Sequence, residues 1–93
     1  MPVQNETKED VLRRLNRIEG QIKGLKRLVE EDTYCVDVMN QISSVHEALR
    51  GAGKLIMRNH LQHCVTDALR DGDPDKAEQT YREMMDLIYK FAK

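Results

Sequence analysis

Apolar residues return along this chain at alternating steps of three and four. The first series is Val11, Leu15, Ile18, Ile22, Leu25 and Val29, with Leu12 and Leu28 widening the stripe. That spacing puts them on one face of an α-helix. A second series, Cys35, Val38, Ile42, Val45, Leu49, Ala52 and Ile56, keeps the rhythm, and no proline interrupts it before Pro74. A third places Ala77, Tyr81, Met84, Ile88 and Phe91 on one stripe, with Met85 and Leu87 beside it. Met84 and Met85 read as core filler, since a flexible thioether suits irregular gaps.

Polar punctuation sets the boundaries. Residues 1–10 show no apolar rhythm, so residues 1–6 are expected to form a flexible arm, with Thr7 capping the first helix and Asp10 three residues on. Glu30, Glu31 and Asp32 interrupt the pattern, and Thr33 offers a cap for a helix starting at Tyr34. Gly72, Asp73 and Pro74 fit a helix end, a cap and a first helical position in turn. The chain therefore reads as all-α, one domain over 1–93 with helices near 7–30, 34–70 and 74–92.

The second helix is the anomaly. At 1.5 Å per residue it would be roughly 50 Å long, too long for a chain of this size to cover, so a neighbouring copy is expected along it. Gly51, Ala52 and Gly53 near its middle would let another helix cross closely. Gly20 and Gly24 each cost about 1 kcal/mol against alanine inside a helix, so another backbone is expected near them.

Composition narrows the class. Of 93 residues, 40% are apolar, only 4% aromatic and 33% charged, which suits amphipathic helices better than a sandwich or barrel. No uncharged run approaches the roughly 20 residues that cross a bilayer, and the polar start MPVQNETKED lacks the features of a signal peptide. A cytoplasmic protein without membrane partners is expected, and its two cysteines are read as thiols or metal ligands rather than a structural disulfide. The net charge is −1, yet residues 11–28 carry six basic side chains against Glu19 alone, locally +5.

The candidate chemistry lies at the two ends of the second helix. His60 and Cys64 are four apart and project from one helical face. Cys35 lies 25 residues before His60, roughly 37 Å along a continuous helix, and cannot join them within one chain. If two copies of this helix pair antiparallel about a dyad near residues 48–50, Cys35 of one lies level with His60 and Cys64 of the other. Two thiolates and one imidazole are too few for a closed structural zinc site and suit low-coordinate Cu(I). A zinc site completed by water or by His63 stays open, as does the plain alternative that the cysteines are small buried residues and His60 a polar interruption. His63 reads as surface, and His46 has no assigned role. No nucleophilic triad, phosphate loop or paired-carboxylate motif is present, so no enzymatic activity is expected.

The segments RLNRIEGQIKGL (14–25), YCVDVMNQIS (34–43), NHLQHC (59–64) and the Asp71-Gly72 turn resemble the copper-sensing repressor family (CsoR), whose relatives sense nickel, formaldehyde or persulfide. The resemblance spans nearly the whole chain beyond the arm. It implies a three-helix protomer, an antiparallel four-helix-bundle dimer and a dimer of dimers. It also implies that the metal-free protein binds operator DNA without a helix-turn-helix and that Cu(I), held by Cys35 of one protomer with His60 and Cys64 of the other, releases it. Tyr34 and Glu83 match positions that form an outer shell around the metal-bound histidine. Nickel sensors commonly add a histidine near the N-terminus, and this chain has none before His46.

Arg13, Arg14 and Arg17 on the first helix, with Arg50 and Lys54 on the second, are the candidate DNA contacts. Gly51 departs from a position often basic in relatives. The leading reading is a Cu(I)-responsive repressor. Two others stay open: a formaldehyde-responsive repressor using Pro2 and Cys35, whose family pattern Cys64 does not match, and a cytosolic copper-buffering bundle that binds no DNA.

Overall fold

Helices α1 (Asn5–Glu30), α2 (Cys35–Asn59), α3 (Thr66–Arg70) and α4 (Pro74–Ala92), with a π turn at His60–Val65 between α2 and α3, make up this computed structural model, which describes residues 3–92. Asn59, His60, Val65 and Thr66 all keep right-handed helical φ and ψ, so α2, the π turn and α3 form one rod. The expected three-helix, all-α architecture is therefore present. No helix among the described residues is long and apolar enough to cross a membrane.

Each expected boundary has a physical outcome. Helix α1 starts at Asn5, within the expected arm of residues 1–6, whose first two residues lie outside the described ones, and Thr7 lies inside the first turn instead of capping it. Gln4 occupies the cap position with extended φ and ψ, its carbonyl accepts from the Lys8 N–H at 2.7 Å, and its own N–H donates to Asn59 Oδ1 at 3.3 Å. A tertiary partner here replaces a local one. The α1–α2 turn closes with Thr33 N–H donating to Leu28 O at 3.0 Å and Asp32 N–H to Val29 O at 3.2 Å, the pair of bonds that ends many helices. Asp32 takes the left-handed position at φ 56°, and Tyr34, not Thr33, stands at the start of α2 with no side-chain cap. Gly72 is left-handed at φ 73°, and Asp73 Oδ1 accepts from the Asp75 N–H at 3.0 Å, as the Gly-Asp-Pro pattern predicts.

α1 packs antiparallel on α2 along a narrow seam. Gln4 meets Asn59, the Arg14 guanidinium passes 3.6 Å from where a Cβ on Gly51 would stand, and the half-buried Leu25 and Val38 line one groove. Burial in the seam repeats every seven residues: Val11 and Ile18 on α1, and Val45, Ala52 and Asn59 on α2, are only 3–8% exposed. A seven-residue repeat is the signature of helices that stay in contact along their length. At Gly20 and Gly24 no backbone of the same protomer supplies the expected approach, since a Cβ on either would meet nothing within 4 Å beyond its own helix.

The remaining apolar positions form a second seam that the protomer leaves open. Leu15, Ile22 and Val29 on α1 and Ile42, Leu49 and Ile56 on α2 also step by seven, and they are 38–60% exposed. The molecule is a slab of 58 × 27 × 13 Å with a radius of gyration of 17.6 Å. A compact chain of this length would have a radius near 12 Å. α4 folds back along the rod and buries Met84 beside Met57, Leu61 and Val65, while Met85 remains half exposed.

Candidate metal centre and nucleic-acid face

Cys35 is the first residue of α2 and its thiol is exposed, with the 68%-exposed Tyr34 just before it. At the far end of the same rod His60 directly follows α2 and Cys64 lies four residues on, and both are half-buried. The 25 residues of α2 keep these ends roughly 37 Å apart. Among the described residues of one protomer, no three His, Cys, Asp or Glu side chains gather to hold a metal ion. What the protomer presents is two partial donor sets, a lone thiol at one end and an imidazole with a thiol at the other. Their chemistry fits a soft, low-coordinate ion.

The π turn coincides with the donor pair. His60 opens it, Cys64 is its fifth residue, and its wider i→i+5 bonding breaks the α-helical ladder there. Thr66 Oγ1 donates to Leu61 O at 3.0 Å, satisfying a carbonyl within the turn. His63 is exposed, as expected, and so is His46. Nothing in the three-and-four rhythm announced the π turn, since its residues fit an ordinary helix equally well.

α4 brings Glu83 to the same place. His60 and Glu83 line one open cavity of about 520 Å³, together with Gly53, Asp86, Lys90 and Phe91. Glu83 is exposed and its Oε1 accepts from Gln79 Nε2 at 3.4 Å. Tyr34, the other expected outer-shell residue, stands at the opposite end of α2, so one protomer does not bring it to His60. Asn59 escaped the sequence reading. It is 4% exposed, adjoins His60, and ties the start of α1 to the end of α2. The available signal was a polar residue continuing the Val38, Val45, Ala52 step of seven.

The basic candidates separate into two groups. Arg13, Arg14 and Arg17 are exposed along α1, and Lys54 is exposed on α2. Asp10 pairs with Arg14 at 3.3 Å and with Arg13 at 3.8 Å. Such exposed pairs are worth about 0–1 kcal/mol and exchange readily for another anion. Arg50 differs: it is half-buried and its Nη2 donates to Phe91 O at 2.6 Å.

The chain is similar to known proteins over nearly its whole length. Residues 7–90 match the family described as metal-sensitive transcriptional repressor. The chain is 42% identical over 86 residues to the copper-sensing transcriptional repressor CsoR of Bacillus subtilis, covering 92% of this chain and 82% of that one. It is 48% identical over 67 residues to the copper-sensing transcriptional repressor RicR of Mycobacterium tuberculosis, covering 72% and 70% of the two chains. Its fold superposes on the crystal structure of the copper-sensing repressor CsoR with Cu(I) from Geobacillus thermodenitrificans with a TM-score of 0.86 at 43% identity, over 100% of this chain and 94% of that one. A variant of the formaldehyde-responsive regulator FrmR from Salmonella enterica serovar Typhimurium superposes with a TM-score of 0.76 at 29% identity, over 97% and 99%. The chain belongs to the metal-sensitive transcriptional repressors of the CsoR/RcnR/FrmR family.

Proposed function

We propose that this protein is a cytoplasmic Cu(I)-responsive transcriptional repressor that binds operator DNA when metal-free and leaves it when Cu(I) is bound. The reading extends to a site made by two protomers, Cys35 from one and His60 with Cys64 from the other. One observation carries it: the soft donors sit at opposite ends of a single rod whose middle presents an exposed apolar row. Ile42, Leu49 and Ile56 are centred on Leu49, close to the midpoint between Cys35 and the His60–Cys64 pair. Antiparallel pairing about that point covers the row and brings Cys35 to the partner's donor pair in the same step. The parallel row on α1 completes a four-helix core, and two such dimers then make the tetramer.

Cys35 with the partner's His60 and Cys64 would hold Cu(I) through two thiolates and an imidazole, and the metal would supply a soft centre whose binding displaces the thiol protons. The chain's residues do the rest. His60, at the start of the π turn, lines the cavity shared with α4, and Glu83 lies within the same cavity to orient the imidazole through its other nitrogen. Tyr34, beside Cys35, reaches the partner's site by the same pairing. Arg13, Arg14 and Arg17 of α1 with Lys54 of α2 form the face that neutralises phosphates, and each phosphate neutralised steepens the fall of affinity with salt.

The FrmR likeness and the exposed Cys35 thiol favour a second reading, a formaldehyde-responsive repressor in which Pro2 and Cys35 react together. Pro2 lies outside the described residues. The deciding experiment is DNA affinity by fluorescence anisotropy on the upstream region of the gene, with and without Cu(I), for the wild type, C35A and H60A. A 100-fold release by Cu(I), equal to a coupling of about 2.7 kcal/mol, is expected in the wild type and in neither variant. Equal affinities with and without Cu(I) in the wild type would sink the copper reading. Release of H60A by formaldehyde would establish the other. Absence of any salt-dependent binding would leave the copper-buffering bundle.

A further inference from the structure

Arg50 is engaged in a way that sets it apart from the other basic side chains. Its Nη2 donates to Phe91 O at 2.6 Å, joining residues 41 apart in sequence. Phe91 lies in the last turn of α4, where backbone carbonyls have no intrahelical donor. A cation at that end satisfies one of them and meets the negative pole of the helix dipole. Three residues on, Gly53 receives the ring of the same phenylalanine. A Cβ at Gly53 would stand 2.6 Å from Phe91 Cε1 and 2.7 Å from Cζ, closer than atoms can approach. Arg50 and Gly53 share one face of α2, so that face grips Phe91 by both backbone and ring.

The grip fixes how α4 is turned about its own axis. Glu83, Asp86 and Lys90 are spaced three and four apart, and all three line the cavity that holds His60. Phe91 follows Lys90 directly, at the edge of that cavity, and stands about 12 Å along α4 from Glu83. Only about two turns of helix separate the two residues, so loosening at Phe91 reaches the turn that carries Glu83. If its last turn is released, the face carrying Glu83 is free to rotate away from His60.

The geometry points to Arg50 as a positioning residue for the metal response: it clamps the C-terminal turn of α4 and thereby holds Glu83 in the His60 cavity, and it is not a contact to DNA. This inference rests on the copper-responsive reading for its consequence, but the clamp itself can be measured without copper or DNA.

The test uses the full chain as R50A, R50K and G53A. Amide hydrogen exchange is followed over residues 83–92 in the metal-free, DNA-free protein. DNA affinity is then measured across a salt series, with and without Cu(I). Loss of a charged hydrogen bond should speed exchange in the last two turns of α4 about tenfold in R50A, with α1 unchanged. R50K, which keeps a donor, should recover part of that protection. G53A, which displaces the ring, should reproduce the R50A pattern. Metal-free DNA affinity should stay within about twofold, with the salt slope unchanged, while release by Cu(I) falls from 100-fold to below about tenfold. Unchanged exchange in R50A, together with a salt slope reduced by about one, would overturn the proposal and make Arg50 a phosphate contact. Exchange that rises equally in α1 would also overturn it, since the effect would then be global. Failure of the wild type to bind DNA would refute the repressor reading while leaving the exchange result to decide the clamp.

Discussion

Along α1 and α2, burial repeats every seven residues, whereas where the π turn meets α4 a few single contacts decide which side chains come together. In the first region Val11, Ile18, Val45 and Ala52 interlock because helical periodicity brings every seventh position back to the same face. In the second, His60, Glu83, Gly53 and Phe91 come together from scattered positions, through a local change of helical pitch and one aromatic ring seated on a glycine. The contrast separates two jobs. A regular seam is insensitive to small shifts and can serve as a scaffold. A junction held by single contacts can be altered by one event at one residue, which is what a sensor requires.

Substitutions can break or sharpen this division. The largest effect is expected from I18A in the seam, where Ile18 is 4% exposed. Chemical denaturation should show a loss of about 3 kcal/mol. Its exposed counterpart Ile22 supplies the control: I22A should cost less than about 1 kcal/mol in dilute protein, with a cost that grows with concentration where the open seam is covered by a second copy. A large, concentration-independent cost for I22A would erase the distinction between the two seams.

Next comes G53A at the junction. Displacing the Phe91 ring should cost about 2 kcal/mol, read as a lower unfolding midpoint. The contrast would fail if the G53A penalty matched that of I18A and the seam were disrupted as well.

N59A tests the place where the two regions touch, since Asn59 is a seam position whose side chain holds Gln4 and whose neighbour is His60. A loss of about 1 kcal/mol is expected, with faster amide exchange confined to the first turn of α1. Exchange spreading along the whole seam would show that Asn59 belongs to the scaffold alone. The smallest effect is a gain: D32G relieves a left-handed aspartate in the α1–α2 turn and should stabilise the protein by about 0.5 kcal/mol, after the added freedom of glycine in the unfolded chain is counted. A loss instead would mean that the Asp32 side chain contributes more than its backbone strain costs.

Much of the scaffold was legible because it follows from local spacing. The three apolar series placed the long helices, and the Gly72-Asp73-Pro74 pattern located the α3–α4 turn to the residue. The start of α1 was misplaced because Thr7 is a good local cap, while the actual N-terminal partner, Asn59, is 55 residues from Gln4. Gly20 and Gly24 were expected to face a backbone, and within the protomer no other segment comes within 4 Å of where their Cβ atoms would stand. The close approach lies at Gly53, where the partner is a ring from α4.

The sequence alone determined the all-α class, the two-ended distribution of Cys35 against His60 and Cys64, and the consequence that one rod cannot bring them together, because rise per residue is a fixed property of a helix. It also supplied the clustered positive charge on α1. Only the tertiary structure decided which half of each apolar stripe is covered, that the helix widens to a π turn at the donor pair, and that Arg50 spends its guanidinium on the end of α4. Those outcomes depend on where a distant segment comes to rest, and no local pattern of residues encodes that position by itself.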